Sequence, residues 1–471
     1  MRIPTRLVLA AFPLAMSLQG QAPPIPVPAS SPGDDLVLQG LLREALANQP
    51  DIQRNRSLIE AEKERVPQAK ALPDPSLTIG LQNDGFKRIE VGRMETSYYQ
   101  VMAIQPLPWP GKRDLRGQIA GLGSQSQRSA LQRTQLSLEA DVKRAYFGLL
   151  LVRDQLALLD QQAQLLEKAE GITKVRYEVG LGSQADLLRA QLERSRLRQA
   201  RFALGAEERA LLAELNRLRA ADPSAAIPTA RSVASFPRLE LEPIESLYQR
   251  SETRSPEVRL AQLGIQQAER SLDLARLDQR PDFAVSAGVM PRGGLDPMWQ
   301  VGFSIGLPIY SKQKQQRAVA EQEWRRKAGG SELASVKLLL HQRIQERMAQ
   351  LEATLETLRL YREGLLFQSE SSFAANLAQY EAGRTPFLSV LEALNGWIAD
   401  RSAYLQTHAQ ALALGIAQEE LALGPTVPIR GQALGSPAMG MGGSPSGSAV
   451  KTSKPNPAAA STEGGGAMKS M

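Results

Sequence analysis

Cysteine is absent from the 471 residues, and histidine occurs only twice. The first absence excludes a disulfide framework, a thiolate metal site, a cysteine nucleophile and N-terminal lipidation through Cys. The second leaves His341 and His408 each alone on a helical pattern, short of the three or four convergent ligands a zinc site needs. No Ser or Asp stands near either histidine in a hydrolase motif, and no phosphate-binding Gly loop occurs. Neither an enzyme nor a resident cofactor is indicated. Aromatics are scarce at 5%, and the net charge of +7 is spread along the chain. Without a basic stripe carrying interleaved aromatics, that charge reads as a solvated helical surface and not as a nucleic-acid site. Met94, Met102, Met290 and Met298 gather near the strands described below. They read as packing residues more readily than as a soft-metal relay.

Long uncharged apolar runs are also missing, except at the N-terminus. There Arg2 and Arg6 precede the run Leu7 to Leu18. This is the pattern of a secretory signal peptide, with cleavage expected between Ser17 and Ala22, so residues 1–22 are assigned to it. A mature protein with no apolar helix of spanning length can cross a membrane only as a β-barrel.

What the chain has in quantity is Ala, Leu, Gln, Arg and Glu, the residues of long helices. It also repeats itself. RYEVGLGSQADLLRA, from Arg176, matches QYEAGRTPFLSVLEA, from Gln379, with Tyr177, Glu178, Gly180, Leu188 and Ala190 equal to Tyr380, Glu381, Gly383, Leu391 and Ala393. Each Gly ends a helical pattern, and a new helix starts a few residues on, so each copy reads as the turn of a helical hairpin. Pro50 and Pro75 match Pro256 and Pro281, and Pro108 is matched with Pro308.

The resulting expectation is a first repeat over 23–220, a proline-rich connector over 221–243, a second repeat over 244–423 and a disordered Gly/Ser/Pro tail over 424–471. Each repeat begins with a helix. A period-two stretch follows, at 75–108 and at 281–308, and then a long helical hairpin, at 112–219 and at 311–423. The second long helix is expected to run unbroken from Ser311 to Tyr380. Heptad-spaced Leu, Val and Ala from Leu138 to Leu166, Ala163 included, mark the helical seam. In the strands, Leu77, Ile79 and Leu81 alternate with Ser76, Thr78 and Gly80, and Trp299, Val301, Phe303 and Ile305 with Gln300, Gly302 and Ser304. The alternation around Ser97–Gln105 is less clean.

Four strands with one apolar and one polar face cannot close a barrel alone, and open edges do not survive in lipid. Three copies would give twelve strands, within the range of known barrels. The alternative is a small soluble sheet packed on helices.

These features together make the chain resemble the TolC-type outer-membrane efflux proteins. The resemblance rests on the twofold repeat, the Tyr-Glu-x-Gly turns and the junctions QPLPWPGKR (Gln105 to Arg113) and LPIYSKQKQQ (Leu307 to Gln316). The junctions look most like the heavy-metal efflux branch. The resemblance implies an α+β membrane protein whose long helical hairpins form a trimeric α-barrel, joined to a twelve-stranded transmembrane β-barrel with four strands per chain. It further implies a homotrimer in outer-membrane lipid with a large periplasmic part. A periplasmic adaptor and an inner-membrane RND-type pump would be its partners, and it would be a passive duct for metal cations. Drug efflux, type I secretion and a non-channel periplasmic coiled-coil protein are the alternatives.

By the same resemblance, Val179, Gly180, Leu181 and Ser183, with Gly383 and Arg384, correspond to the tip that docks on the adaptor. Glu392 corresponds to an acidic constriction, a single ring because Ser389 stands where some members have a second acid. Tyr380 and Asp186 correspond to a closed-state hydrogen bond between neighbouring helices. Thr385, with Arg384 beside it, departs from the Arg that those members carry two residues after the Gly. Read without the family, Glu392 is a solvated helix residue, Tyr177 and Tyr380 are hairpin packing residues, and the glycines serve the turns.

Overall fold

A computed structural model of the protein describes residues 35–229, 231–236 and 241–430. The signal peptide assigned to 1–22 and the tail from residue 431 onward lie outside the described residues.

Both repeats open with a helix pair broken at an X–Pro step: α1 (Leu36–Asn48) and α2 (Pro50–Lys70), then α5 (Ile244–Arg254) and α6 (Pro256–Leu277). The residue before a proline is driven out of the helical region. Gln49 and Ser255 are accordingly extended, at ψ 124° and 122°, and each proline becomes the first residue of the next helix.

The strands are β1 (Ser76–Gln82), β2 (Tyr98–Leu107), β3 (Asp282–Arg292) and β4 (Leu295–Gly306). They form one antiparallel sheet in the order β1-β2-β3-β4. Its register carries Ile79, Val101, Val289 and Trp299 across in one row, and Leu107, Phe283 and Ile305 in another. This apolar face stays open, with Ile79 74% and Trp299 77% exposed. The opposite face holds Thr78, Gln100, Gln300 and Ser304. The blurred alternation of β2 has a local cause. Gln105 falls on the apolar face, and its amide folds back to donate to the carbonyls of Pro73 and Pro106 at 2.8 and 2.9 Å.

The register also corrects the alignment of the repeats. Ser76 pairs with Ile104, and its counterpart Asp282 pairs with Gly306. The second strand of each pair is therefore offset by 202, and Pro308 is the structural counterpart of Pro106, not of Pro108.

From the sheet run α3 (Lys112–Glu178) and its return α4 (Gln184–Leu218). At 67 residues, α3 is about 100 Å long at 1.5 Å per residue. Leu138, Val142, Ala145, Leu149, Val152, Leu159 and Leu166 are buried along its seam, against Leu197, Leu204, Leu211 and Leu215 of α4. Ala163 is exposed. Gln162 is buried in its place and donates to Asn395 Oδ1 at 2.9 Å. The second hairpin consists of α7 (Gln315–Leu360), a π turn (Tyr361–Leu365), α8 (Leu366–Glu381) and α9 (Phe387–Glu420).

The unbroken helix expected from Ser311 is thus wrong in two respects: it starts at Gln315, and it contains the π turn. The π turn has a physical reason. Ile344, Leu351 and Leu358 are buried at heptad spacing, which would place Leu365, Ser372 and Gln379 next in the seam, but Leu365, at the end of the π turn, is exposed. The buried residues are Phe373 and Tyr380, one position later. A π turn takes in one extra residue and brings the seam back against α9. Among the described residues no helix is long and apolar enough to cross a membrane.

Candidate functional site

The two hairpin turns share one backbone device. After α3, Leu181 N–H donates to Arg176 C=O (2.8 Å) and Gly180 N–H to Tyr177 C=O (3.0 Å). After α8, Arg384 N–H donates to Gln379 C=O and Gly383 N–H to Tyr380 C=O, both at 2.9 Å. These are paired Schellman bonds, which require a left-handed residue at the central position. Gly180 at φ 75° and Gly383 at φ 72° supply it. Ser183 then caps α4, its Oγ accepting from Ala185 N–H at 3.1 Å.

The turns match in backbone and differ in burial. Tyr177 is 44% exposed and its equivalent Tyr380 only 3%. Val175, Val179, Leu181, Leu188 and Leu192 leave the first tip with an exposed apolar surface, whereas Leu391, the equivalent of Leu188, is buried. Gly383 and Arg384 of the second turn are exposed.

Tyr380 is held inside its own chain. Its hydroxyl donates to Thr173 Oγ1 at 3.0 Å, and that hydroxyl donates to Ala169 C=O at 2.8 Å. Its ring lies 5.5 Å from that of Phe387, with the Arg176 guanidinium 5.1 Å above it. Arg176 also donates to the carbonyls of Tyr380 (3.0 Å) and Leu181 (3.4 Å), so one side chain bridges both turns. Within one chain, Tyr380 and Asp186 do not meet: Asp186 pairs with Arg189 at 3.2 Å, on the first turn of α4. Glu392 is exposed on α9 and has no ion-pair or hydrogen-bond partner among the described residues. Arg176 and Thr173 are the site residues that sequence reasoning missed. Arg176 stands beside the repeated Tyr, but its counterpart is Gln379, so the repeat itself hides it.

At the other end of α3, Lys112 is 2% exposed. Its Nζ lies 2.9 Å from Asp282 Oδ1 and 3.2 Å from Asp278 Oδ1, and donates to Arg280 C=O at 3.3 Å. Trp109 N–H donates to the same Asp282 oxygen (2.8 Å), and the Trp109 ring packs on Phe283 at 5.4 Å. The PWPGK segment thus locks the first repeat's junction onto the second repeat. Of the histidines, His341 stacks on Tyr248 and lies 3.1 Å from Glu252, while His408 is buried in α9. Burial and nearby Arg362 push the His408 pKa down. Among the described residues no group of three or more His, Asp or Glu side chains is placed to hold a metal ion.

The chain thus presents a four-stranded sheet with an open apolar face, carried on two long helical hairpins. The family model described as "Outer membrane efflux protein" matches residues 41–222 and 247–422, one stretch in each repeat, and the chain belongs to that family. Two relatives and one solved structure show the range of similarity. Protein CyaE of Bordetella pertussis is 29% identical over 285 residues, which are 58% of this chain and 59% of that protein; the chain thus matches less than two thirds of that relative's length. The cobalt-zinc-cadmium resistance protein CzcC of Cupriavidus metallidurans is 22% identical over 399 residues, 84% of this chain and 91% of the relative. The outer-membrane channel OprN shares the fold at a TM-score of 0.70 and 16% identity, over 82% of this chain and 90% of that one.

Proposed function

We propose that three copies of this chain form an outer-membrane exit duct. The observation that carries this reading is the open apolar face of a sheet with two unpaired edges. Three of the four strands, of 10 to 12 residues, at about 3.3 Å per residue and tilted about 45°, rise about 25 Å, the height of a barrel's apolar band; β1, at 7 residues, is shorter. Three sheets close into twelve strands, and the helical hairpins continue the duct into the periplasm. The duct is passive, and energy comes from an inner-membrane RND-type pump reached through a periplasmic adaptor.

The tip residues Val179, Gly180, Leu181, Ser183, Gly383 and Arg384 dock on that adaptor. The exposed apolar surface of the first tip supports this assignment. Glu392 from three copies forms a carboxylate ring at the narrow end, able to attract cations. Its exposure and the lack of a side-chain partner among the described residues are what such a ring requires. The Tyr380–Asp186 latch of the closed state joins different copies. Because the Tyr380 hydroxyl already donates to Thr173 and a carboxylate can only accept, Tyr380 leaves Thr173 to form the latch.

The proposed cargo is metal cations. The two strand–helix junction sequences and the similarity to CzcC support this choice. The protein purified in detergent is expected to be trimeric and to conduct in planar bilayers, with cation selectivity reduced in Glu392→Gln. A monomeric, water-soluble protein without conductance would instead support a periplasmic coiled-coil role. Deleting the gene is expected to sensitise cells to divalent metals. Sensitisation to drugs alone, or loss of a secreted protein, would reassign the cargo.

A further inference from the structure

Among the described residues, the sheet of one chain ends in two unpaired edges, β1 and β4. We propose that β4 of one copy, continued by residues 307–309, pairs with β1 of the next copy in one register, set by the internal repeat: Ile305 opposite Leu81, Leu307 opposite Ile79, and Ile309 opposite Leu77. Residues 307–309 lie past the end of β4 in the single chain, as 105–107 of β2 are paired only by β3. The inference rests on the trimer reading above and adds the contact that closes the barrel.

Within one chain, the last strand of the first repeat already meets the first strand of the second. In this β2–β3 ladder, Ala103 pairs with Ala287, Gln105 with Val285 and Leu107 with Phe283. In a ring of alternating repeats, β4 must meet the next β1 as β2 meets β3. The observed registers relate β1 to β3 by an offset of 206 and β2 to β4 by an offset of 202. Carrying the three β2–β3 pairs over by those offsets gives the three pairs proposed. It also sets Pro308 opposite Thr78, in the position where Pro106 already faces Ala284 in the β2–β3 ladder.

The chemistry of the two edges agrees. Leu77, Ile79, Leu81, Ile305, Leu307 and Ile309 are all exposed in the single chain, and the proposed register gives each an apolar neighbour on the lipid face. A slip of one residue would set the β4 set against Thr78 and Gly80. A slip of two, to the register with Ile305 opposite Ile79, breaks the repeat, because its counterpart would set Ala103 opposite Val285, whereas Ala103 pairs with Ala287. The junction repeats as well. At the offset of 202 Lys314 would take the place of Lys112, and the turn it would face in the next copy carries Asp74. Both are exposed, and neither side chain has an ion-pair or hydrogen-bond partner among the described residues.

Because the chain has no cysteine, engineered thiols report without background. In one copy, β1 and β4 are separated by two intervening strands, about 14 Å at 4.8 Å per step. A disulfide needs Cα atoms closer than about 7 Å, so any bond between these edges joins different copies. The full-length protein in detergent is oxidised as three double variants: Leu81→Cys with Ile305→Cys, Ile79→Cys with Leu307→Cys, and the shifted control Ile79→Cys with Ile305→Cys. The first two are expected to shift from monomer to covalent dimer and trimer on a non-reducing gel, and the control to remain largely monomeric. Trimers by mass in the reduced sample, with cross-linking strongest in the control or absent from both matched pairs, would overturn the register and leave the duct reading intact. A reduced sample of the wild-type chain that is monomeric by mass would overturn the duct reading and the edge pairing with it.

Discussion

Lys112 Nζ lies 2.9 Å from Asp282 Oδ1, and this contact joins the start of α3 in one repeat to the start of β3 in the other. The lysine is buried while its two acids are about half exposed. Removing the lysine therefore leaves carboxylates that water can reach, and the loss falls at the lower end of the range for buried pairs. Lys112→Met, which keeps most of the stem, is expected to lower stability by about 2 kcal/mol. Asp282→Asn keeps an acceptor for Trp109 and should cost less. Thermal unfolding followed by gel mobility checks both. An unchanged midpoint in Lys112→Met would mean that strand pairing alone holds the junction.

The Tyr380–Thr173 hydrogen bond ties α8 to α3 beneath the tips. Tyr380→Phe and Thr173→Val are each expected to cost about 1 kcal/mol, and the double variant little more than either alone, because the bond is lost once. A double-mutant cycle by denaturant unfolding measures that coupling. Fully additive losses would show that the two hydroxyls act separately.

Arg176 bridges the two turns through the carbonyls of Tyr380 and Leu181. Arg176→Ala should speed amide exchange in both turns, near 179–184 and 380–386, while leaving the helix interiors protected. In contrast, Gly180→Ala strains one turn only, by about 1 kcal/mol for an L-residue at positive φ. Hydrogen exchange resolved by residue separates the two patterns.

His408 sets a pH dependence whose direction can be worked out. Its pKa in the folded chain is below the ordinary 6.5, chiefly through burial and then through Arg362. The unfolded chain takes up a proton at about pH 6.5, where the folded chain does not. Stability is therefore lost as pH falls below 6.5, until the folded pKa is reached, and is unaffected above that range. His408→Gln should flatten the fall in midpoint between pH 7 and pH 5. An identical slope in the variant would remove His408 as its source.

Much of the fold was legible because its periodicities are long. The seam from Leu138 to Leu166, the alternation in β4 and the twin glycine turns are local patterns that sequence spacing reports directly. The π turn left a trace as well: the buried heptads on either side of Tyr361 are one residue out of phase. That signal was available, but it becomes decisive only when Phe373 and Tyr380 are known to face α9. The tip was legible in backbone and not in contacts. Gly180 and Gly383 announce the turns, while Arg176 and Thr173 belong to the site only because two hairpins lie side by side.

By itself the sequence determined the element order, the twofold repeat, the two faces of each strand and the places where helices must turn. Each depends on near neighbours along the chain, on side-chain period and on the backbone freedom of Gly and Pro. Only the tertiary structure decided the register, and with it that Pro308 answers to Pro106. It also decided that Lys112 reaches Asp282, that Tyr380 is buried where Tyr177 is exposed, and that the Glu392 side chain is left without a partner among the described residues. These depend on which surfaces of distant segments meet, and equal sequence in two repeats does not give them equal surroundings.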